Sequence, residues 1–442
     1  MINQFRLQNF KSWRDTGEIR FAPLTAFFGA NSSGKTAILQ FLVVLKQTVE
    51  SSDRNRVLHL GGDKNSYVDL GTFYDVVHKH EMLRKVEFSI QGDLEKPLTF
   101  DFVQFEDNGD SYPFNAQQTV YYLSFNAVIE VNKQVVQVDK FQYNPNNFSI
   151  GMEYITNRKY HFVSNAEITA ILVDMNMNQE ELENLSAPIK CYEFPFPHLY
   201  QFSSAFESLF RDMYYLGPLR DYPKRLYVWS GEKPQDVGTR GEWTVAALLA
   251  SPVEMQQQVA AWLKKLGLVY EFNLRVIAEG RREYEVMVKL TPESTEVPLT
   301  DVGFGVSQIL PVLVLCYYVP EQSIVILEQP EIHLHPAIQA NLADLLLEVI
   351  KTRRLQIILE SHSEHLLRRL QRRLAEEVVT PEEIALYFTS LKGSESQLEP
   401  LTLDEYGNIH NWPENFFGDE FGDLAAMTEA AIMRQTSPNG NP

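Results

Sequence analysis

The string Gly29-Ala30-Asn31-Ser32-Ser33-Gly34-Lys35-Thr36 constrains this 442-residue chain more than any other stretch. It follows a mostly apolar run, residues 24–28, and opens a segment in which Ile38, Leu42, Leu45 and Val49 recur on one helical face. A strand, a glycine-bounded loop and a helix in that order turn several backbone N–H groups inward. Together with the helix N-terminus they form a concavity for phosphate oxygens, built here from Gly29, Asn31, Ser32, Ser33 and Gly34. Lys35 would reach the β- and γ-phosphates of a nucleotide, and Thr36 would offer its hydroxyl to Mg²⁺. An α/β fold is expected, with a nucleotide at the strand ends.

Composition sets the outer bounds. Hydrophobic residues make up 44 % and charged residues 22 %, the balance of a globular protein with a large core. No run approaches the ~20 apolar residues of a membrane span, and the chain enters an alternating strand pattern at once, so no signal peptide is expected. Cys191 and Cys316 are the only cysteines; neither a disulfide framework nor a zinc site is expected, which suits a reducing cytoplasm. A net charge of −19 argues against a basic surface coat, although a local stripe can act within an acidic whole. Arg368, Arg369, Arg372 and Arg373 form one such stripe at helical spacing. A solvated helix face balanced by nearby glutamates outweighs a phosphate-binding track there.

Three later segments turn the loop into a site. Residues 324–327 are continuously apolar and end in Glu328, as in a parallel strand buried on both faces with its carboxylate where open α/β sheets place ligands. Glu328 is the expected Mg²⁺ ligand beside Thr36. Residues 355–359 form a second such strand, ending in Glu360-Ser361-His362-Ser363; His362 is the expected γ-phosphate or water contact. Third, Gly303-Phe304-Gly305-Val306-Ser307-Gln308 precedes an apolar helix expected to start near Ile309, with Ser307 as its N-cap and Pro311 in its first turn. Glycines before a helix make a second anion cradle, and the economical explanation for two cradles is that Gly303, Gly305, Ser307 and Gln308 grip the nucleotide of another subunit.

Between these motifs the texture changes. Residues 84–165 contain short alternating runs separated by Asn, Asp and Gly turns, an antiparallel block without heptads. Helical candidates follow at 179–182 and 202–210, and residues 271–276 and 284–290 alternate as a hairpin. The expected division is an N-terminal lobe (1–75), an inserted β-rich and partly helical block (76–213), a C-terminal lobe (214–395) and a tail (396–442). The tail carries a hairpin turn at 404–407, an acidic stretch (Asp419, Glu420, Asp423) and a short helix.

In combination, Phe5–Phe10 with Lys11, Gly29–Thr36, 303–308, Glu328-Gln329-Pro330-Glu331-Ile332-His333-Leu334-His335-Pro336 and Ser361-His362-Ser363 resemble the ATP-binding-cassette superfamily. Within it, the pattern is similar to the soluble heads of structural-maintenance-of-chromosomes (SMC) proteins and to overcoming-lysogenization-defect (OLD-like) ATPases. The tail, around residues 411–413, resembles a segment appended to some bacterial ATPases of this kind. The resemblance implies an ABC-type P-loop head with a mixed or parallel core sheet, Mg²⁺ and ATP as ligands, and a homodimer that closes on ATP, with Lys35 and Thr36 of one copy facing Gly305 and Ser307 of the other. It also implies action on DNA in repair, chromosome organisation or anti-phage defence. Residues beyond the ATPase motifs are too few for the nuclease many OLD-like members carry, so a separately encoded nuclease or toxin is the expected effector.

One departure bears on rate. The resemblance places a second acid after Glu328 to polarise the attacking water, and this chain has Gln329. Glutamine orients water but takes no proton, so hydrolysis is expected to be slow, with Glu331 as a substitute base only if the local geometry shifts. The alternative function is an ATP-gated scaffold with little turnover. His333 and His335 alternate like metal ligands, but their place in the motif assigns them to a turn or a dimer contact rather than to a metal.

Overall fold

The computed structural model describes residues 1–53, 56–64, 66–104, 114–132, 135–144, 149–156, 159–164, 190–194, 200–413, 416 and 420–436. The helical candidate at 179–182 and the acidic residue Asp419 lie outside them.

In chain order, β1 (Ile2–Phe10), β2 (Trp13–Asp15) and β3 (Ile19–Arg20) precede β4 (Leu24–Gly29) and α1 (Lys35–Glu50). A short helix, α2 (Phe73–Val76), leads into β5 (Val86–Gln104), β6 (Phe114–Asn132), β7 (Val135–Tyr143), β8 (Ile150–Thr156) and β9 (Lys159–Ser164). Then come α3 (Tyr200–Arg211), β10 (Met213–Leu216), β11 (Tyr227–Val228), α4 (Thr244–Leu249), α5 (Val253–Lys265), β12 (Glu271–Val276), β13 (Glu283–Lys289), β14 (Val297–Pro298) and α6 (Phe304–Tyr318). The chain continues through β15 (Ile324–Glu328), α7 (Pro336–Thr352), β16 (Gln356–Glu360), α8 (Glu364–Ala375), β17 (Ile384–Lys392), β18 (Glu395–Pro400) and α9 (Glu420–Thr436).

The core sheet runs β10-β15-β16-β4-β17-β18, parallel except for the last pair. Its central strands β15 and β16 are buried at every position, which explains why they lack alternation. Register aligns their carboxyl ends: Leu216 pairs with Leu327, Glu328 with Glu360, and Glu360 with Phe27. Everything that follows these strands therefore emerges on one rim.

The inserted strands do not form a sheet of their own. β1 pairs antiparallel with β5, so β1–β3 and β5–β9 make one sheet. What reads as separate runs at 120–125 and 127–131 is a single strand, β6, because its partners β5 and β7 pair across the polar interruption at Asn126. Helix α1 fills the space between this sheet and the core sheet. Its Phe41 is fully buried, with its ring 5.0 Å from Phe10, 6.1 Å from Phe5 and 5.1 Å from Phe88. A smaller sheet of β11–β14 lies with α4–α6 over the other core face. In the tail, Trp412 and Phe416 meet edge-to-face, as does Phe416 with Phe28 and Phe388, and the Arg368 guanidinium lies over Trp412.

Among the described residues no helix is long and apolar enough to cross a membrane. Because Phe41 ties α1 to the N-terminal sheet, Phe41→Ala is expected to cost about 3–5 kcal/mol. The drop would be read as a lower urea midpoint by circular dichroism, alongside an exposed control such as Leu83→Ala that leaves it unchanged.

Candidate nucleotide site

The loop 29–36 is held by the strand beside it. Gly29 has φ +139°, and a Cβ there would lie 2.1 Å from the Thr389 carbonyl oxygen on β17. Gly34, at φ +98°, is equally confined: a Cβ would meet Ser396, Trp13 and Ser12, and the Trp13 indole donates to its carbonyl at 2.9 Å. Both glycines are thus steric requirements. Ser33 shares a hydrogen bond with Thr389 (2.6 Å), while Asn31 and Ser32 are exposed at the loop tip.

Lys35 is buried and folded back on its own loop, donating to the carbonyls of Gly29 (3.0 Å) and Ala30 (2.8 Å). Burial pulls its ammonium below the ordinary lysine range, and Glu360 and Glu331 oppose that pull. Thr36 donates to Glu360 Oε2 at 2.7 Å. Sequence alone marks Glu328 as the partner of Thr36; in the folded chain the carboxylate that touches this hydroxyl is Glu360. Only the strand order, with β16 between β4 and β15, reveals it.

Glu328 lies one strand further on. Its Oε1 accepts from the Tyr215 hydroxyl at 2.8 Å, and Arg220 donates to its backbone carbonyl at 3.2 Å. Burial and the neighbouring Glu360 push the Glu328 carboxyl up to about 8. Glu360 and Glu331 are raised too, chiefly by burial. Gln329 sits in the left-handed region at φ 45°, where its N–H donates to the Glu360 carbonyl (3.1 Å) and its side chain to the Glu360 carboxylate. Glu331 Oε1 accepts from the His362 N–H at 2.7 Å, which ties the turn after β15 to the turn after β16. Burial and the Lys35 charge hold His362 below the usual histidine range, and its ring meets the Gly29 backbone. An uncharged imidazole thus stands beside the lysine.

The structure brings Lys35, Thr36, Glu328, Gln329, Glu331, Glu360 and His362 to one rim. Thr36, Glu360 and Glu328 are oxygen donors of the kind a magnesium ion takes. Arg220 is buried against the Glu328 backbone.

Segment 303–308 stands apart. Helix α6 starts at Phe304, earlier than the expected Ile309: Gly303 is the N-cap, and Ser307 lies in the first turn, donating to the Phe304 carbonyl at 2.8 Å. Pro311 consequently falls inside the helix, where burial on all sides offsets the lost hydrogen bond. Among the described residues no hydrogen bond joins 303–308 to the loop 29–36. Gly303 is exposed, with an ordinary φ of −59° and nothing within 4 Å of a would-be Cβ. Phe304 is half exposed and packs on Tyr222 and His333. His333 occupies a left-handed turn and His335 caps α7, so each has a local structural role. The arginine stripe is paired: Arg368 with Glu364, Arg369 with Asp344, Arg372 with Glu376, and Arg373 with Asp344 and Glu376.

A family model described as "AAA ATPase domain" matches residues 1–216 and 247–367, well over half the chain. The chain belongs to the AAA ATPase domain family. A second model, "Protein of unknown function (DUF3696)", matches residues 379–427, covering β17, β18 and the start of the tail helix of this AAA ATPase. No curated protein matches in sequence. Similar solved structures include an SMC head bound to the C-terminal winged-helix domain of ScpA (14 % identity, TM-score 0.44, covering 91 % of this chain and 98 % of that one). The SMC head domain from Thermotoga maritima is 12 % identical, with TM-score 0.37 and coverage of 91 % and 99 %. An SMC head with an extended coiled coil, bound to the C-terminal domain of ScpA derived from Pyrococcus furiosus, is 11 % identical, with TM-score 0.43 and coverage of 98 % and 99 %.

The raised carboxyls make stability depend on pH. Between its ordinary value of 4.5 and about 8, Glu328 is protonated in the folded chain and ionised in the unfolded one. The folded state then binds more protons, so stability falls as pH rises through that window. Urea midpoints without nucleotide should decrease from pH 5.5 to 8, and Glu328→Gln should flatten the slope.

Proposed function

We propose that the protein is an ABC-type ATPase whose two copies close around Mg²⁺-ATP. Lys35 and the loop amides hold the β- and γ-phosphates, and Thr36 and Glu328, joined by Glu360, hold the metal. Bound there, Mg²⁺ would neutralise charge that builds on the phosphate oxygens. Gln329 orients the attacking water, and the uncharged His362 contacts the γ-phosphate. Gly303, Gly305, Ser307 and Gln308 of the second copy cap the nucleotide from the far side.

The observation that carries the closing step is Gly303. Neither the backbone nor the packing of its own chain calls for glycine there, and the position is exposed at the N-terminus of a 15-residue helix. A bare helix end in the open suits close approach by an anion held on another molecule. Hydrolysis would reopen the pair and pass the change to DNA or to a separately encoded nuclease or toxin. Genome defence in the cytoplasm is the setting the OLD-like resemblance favours. Gln329 supports the second reading, an ATP-gated scaffold with little turnover.

Phosphate release by the wild type should fall to background in Lys35→Ala. Gln329→Glu should raise turnover by about 10-fold or more, since a positioned base contributes ~10²–10⁴. Wild-type release no faster than Lys35→Ala, with an ATP-dependent dimer intact, would favour the scaffold. Asp is a good N-cap, so Gly303→Asp should fold normally. Its carboxylate would nevertheless repel phosphate, and sedimentation should show that the ATP-dependent dimer is lost. A dimer that persists in Gly303→Asp would remove the sandwich.

A further inference from the structure

We infer that Arg220 is a ligand for the terminal phosphate, the residue by which the site tells a nucleoside triphosphate from a diphosphate. The inference rests on the loop 29–36 being a nucleotide site, and deepens that reading.

Arg220 follows β10 and is only 6 % exposed. A guanidinium carries five N–H donors and no acceptor. In this chain one nitrogen, Nη2, is used, on the Glu328 carbonyl at 3.2 Å, while Nε and Nη1 are buried with no hydrogen-bond partner. Among the described residues no carboxylate forms an ion pair with it. Donors left unmet in the interior are costly, and an unpaired buried charge more so. The nearby acids are otherwise engaged: Glu328 accepts from Tyr215, and Glu331 Oε1 accepts from His362. Glu331 Oε2 is itself buried and unpartnered.

Place and shape make the phosphate the fitting partner. Leu216, Leu327, Glu328, Glu360 and Phe27 are linked by register, so Arg220 leaves the same strand rim as the loop that carries Lys35. Glu331 is an electrostatic neighbour of both cations, so Arg220 and Lys35 lie near the same acid cluster. A planar guanidinium with a free edge matches two phosphate oxygens at once, as an ammonium cannot. The segment is also braced: Gly217 donates to the Thr239 carbonyl and Asp221 to that of Arg240, both at 2.8 Å, so the side chain is carried on a fixed backbone. The competing account is structural, with Arg220 and Glu331 sharing an interior water to hold the turn.

The two accounts part on nucleotide selectivity. Full-length wild type, Arg220→Gln and Arg220→Lys would be titrated with fluorescent mant-ATP and mant-ADP in Mg²⁺, with thermal melts alongside. A charge-assisted contact to the terminal phosphate predicts that Arg220→Gln weakens mant-ATP binding about 10- to 100-fold and leaves mant-ADP within about 2-fold. Arg220→Lys, which keeps the charge and loses the fork, should show a smaller loss of the same selectivity, and it serves as the test if Arg220→Gln does not fold. Equal weakening of both nucleotides, or a lowered melting temperature with the ATP-to-ADP ratio unchanged, would overturn the assignment in favour of the shared water. Wild type that binds neither nucleotide would remove the nucleotide reading itself, a failure distinct from the loss of selectivity alone.

Discussion

Parallel strands that end level with one another bring three carboxyls to the same buried rim, and the site depends on that crowding. Glu328 and Glu360 are paired across adjacent strands, and Glu331 follows on the next turn. Negative charges this close, away from water, cannot all be ionised cheaply, and burial raises all three carboxyls above their ordinary range. Lys35 answers part of the demand from the loop, although its own hydrogen bonds go to the Gly29 and Ala30 carbonyls. On the proposed function, a divalent ion with phosphate would satisfy both halves, the Glu328 and Glu360 carboxylates holding the metal and Lys35 turning from its carbonyls to the phosphate oxygens.

That rim is anchored from behind. α1 carries Lys35 and Thr36 at its start and Phe41 little more than one turn later, and Phe41 packs between β1 and the long β5. The inserted strands therefore brace α1, which carries Lys35 and Thr36, through the N-terminal sheet. On the opposite side, the segment after β10 links the Glu328 end of the rim to α6: Tyr215 and Arg220 touch Glu328, Tyr222 packs on Phe304, and Arg225 pairs with Asp301 at 2.7 Å. The glycine-rich helix end is mechanically joined to the acid cluster without hydrogen-bonding to the phosphate loop.

What could be read from the chain before folding was whatever local pattern controls. The loop 29–36, the buried strands ending in Glu328 and Glu360, the hairpin of β12 and β13 and the turn at 404–407 all carry their cause within a few residues. The pairing of β1 with β5 does not, because alternation shows a strand's two faces and says nothing of its neighbour. Likewise the partner of Thr36 is decided by strand order, which puts β16 rather than β15 beside β4. The start of α6 misleads for a different reason: glycines and a proline argue for a late helix, but enclosure of residues 306–316 outweighs propensity. Arg220 looks like any turn arginine until its burial is known.

Gln329 draws these threads to the question of rate. Its left-handed backbone brings its N–H onto the Glu360 carbonyl and its side chain to the Glu360 carboxylate, so Gln329 braces that acid. Glu331, two residues further on, has one oxygen committed to the His362 N–H and the other buried away from solvent. Freeing it to take a proton would release the turn that positions His362, so a base gained there would cost the proposed γ-phosphate contact. If the site works as proposed, this arrangement would favour holding a triphosphate over cleaving it, with turnover set by how often that brace loosens.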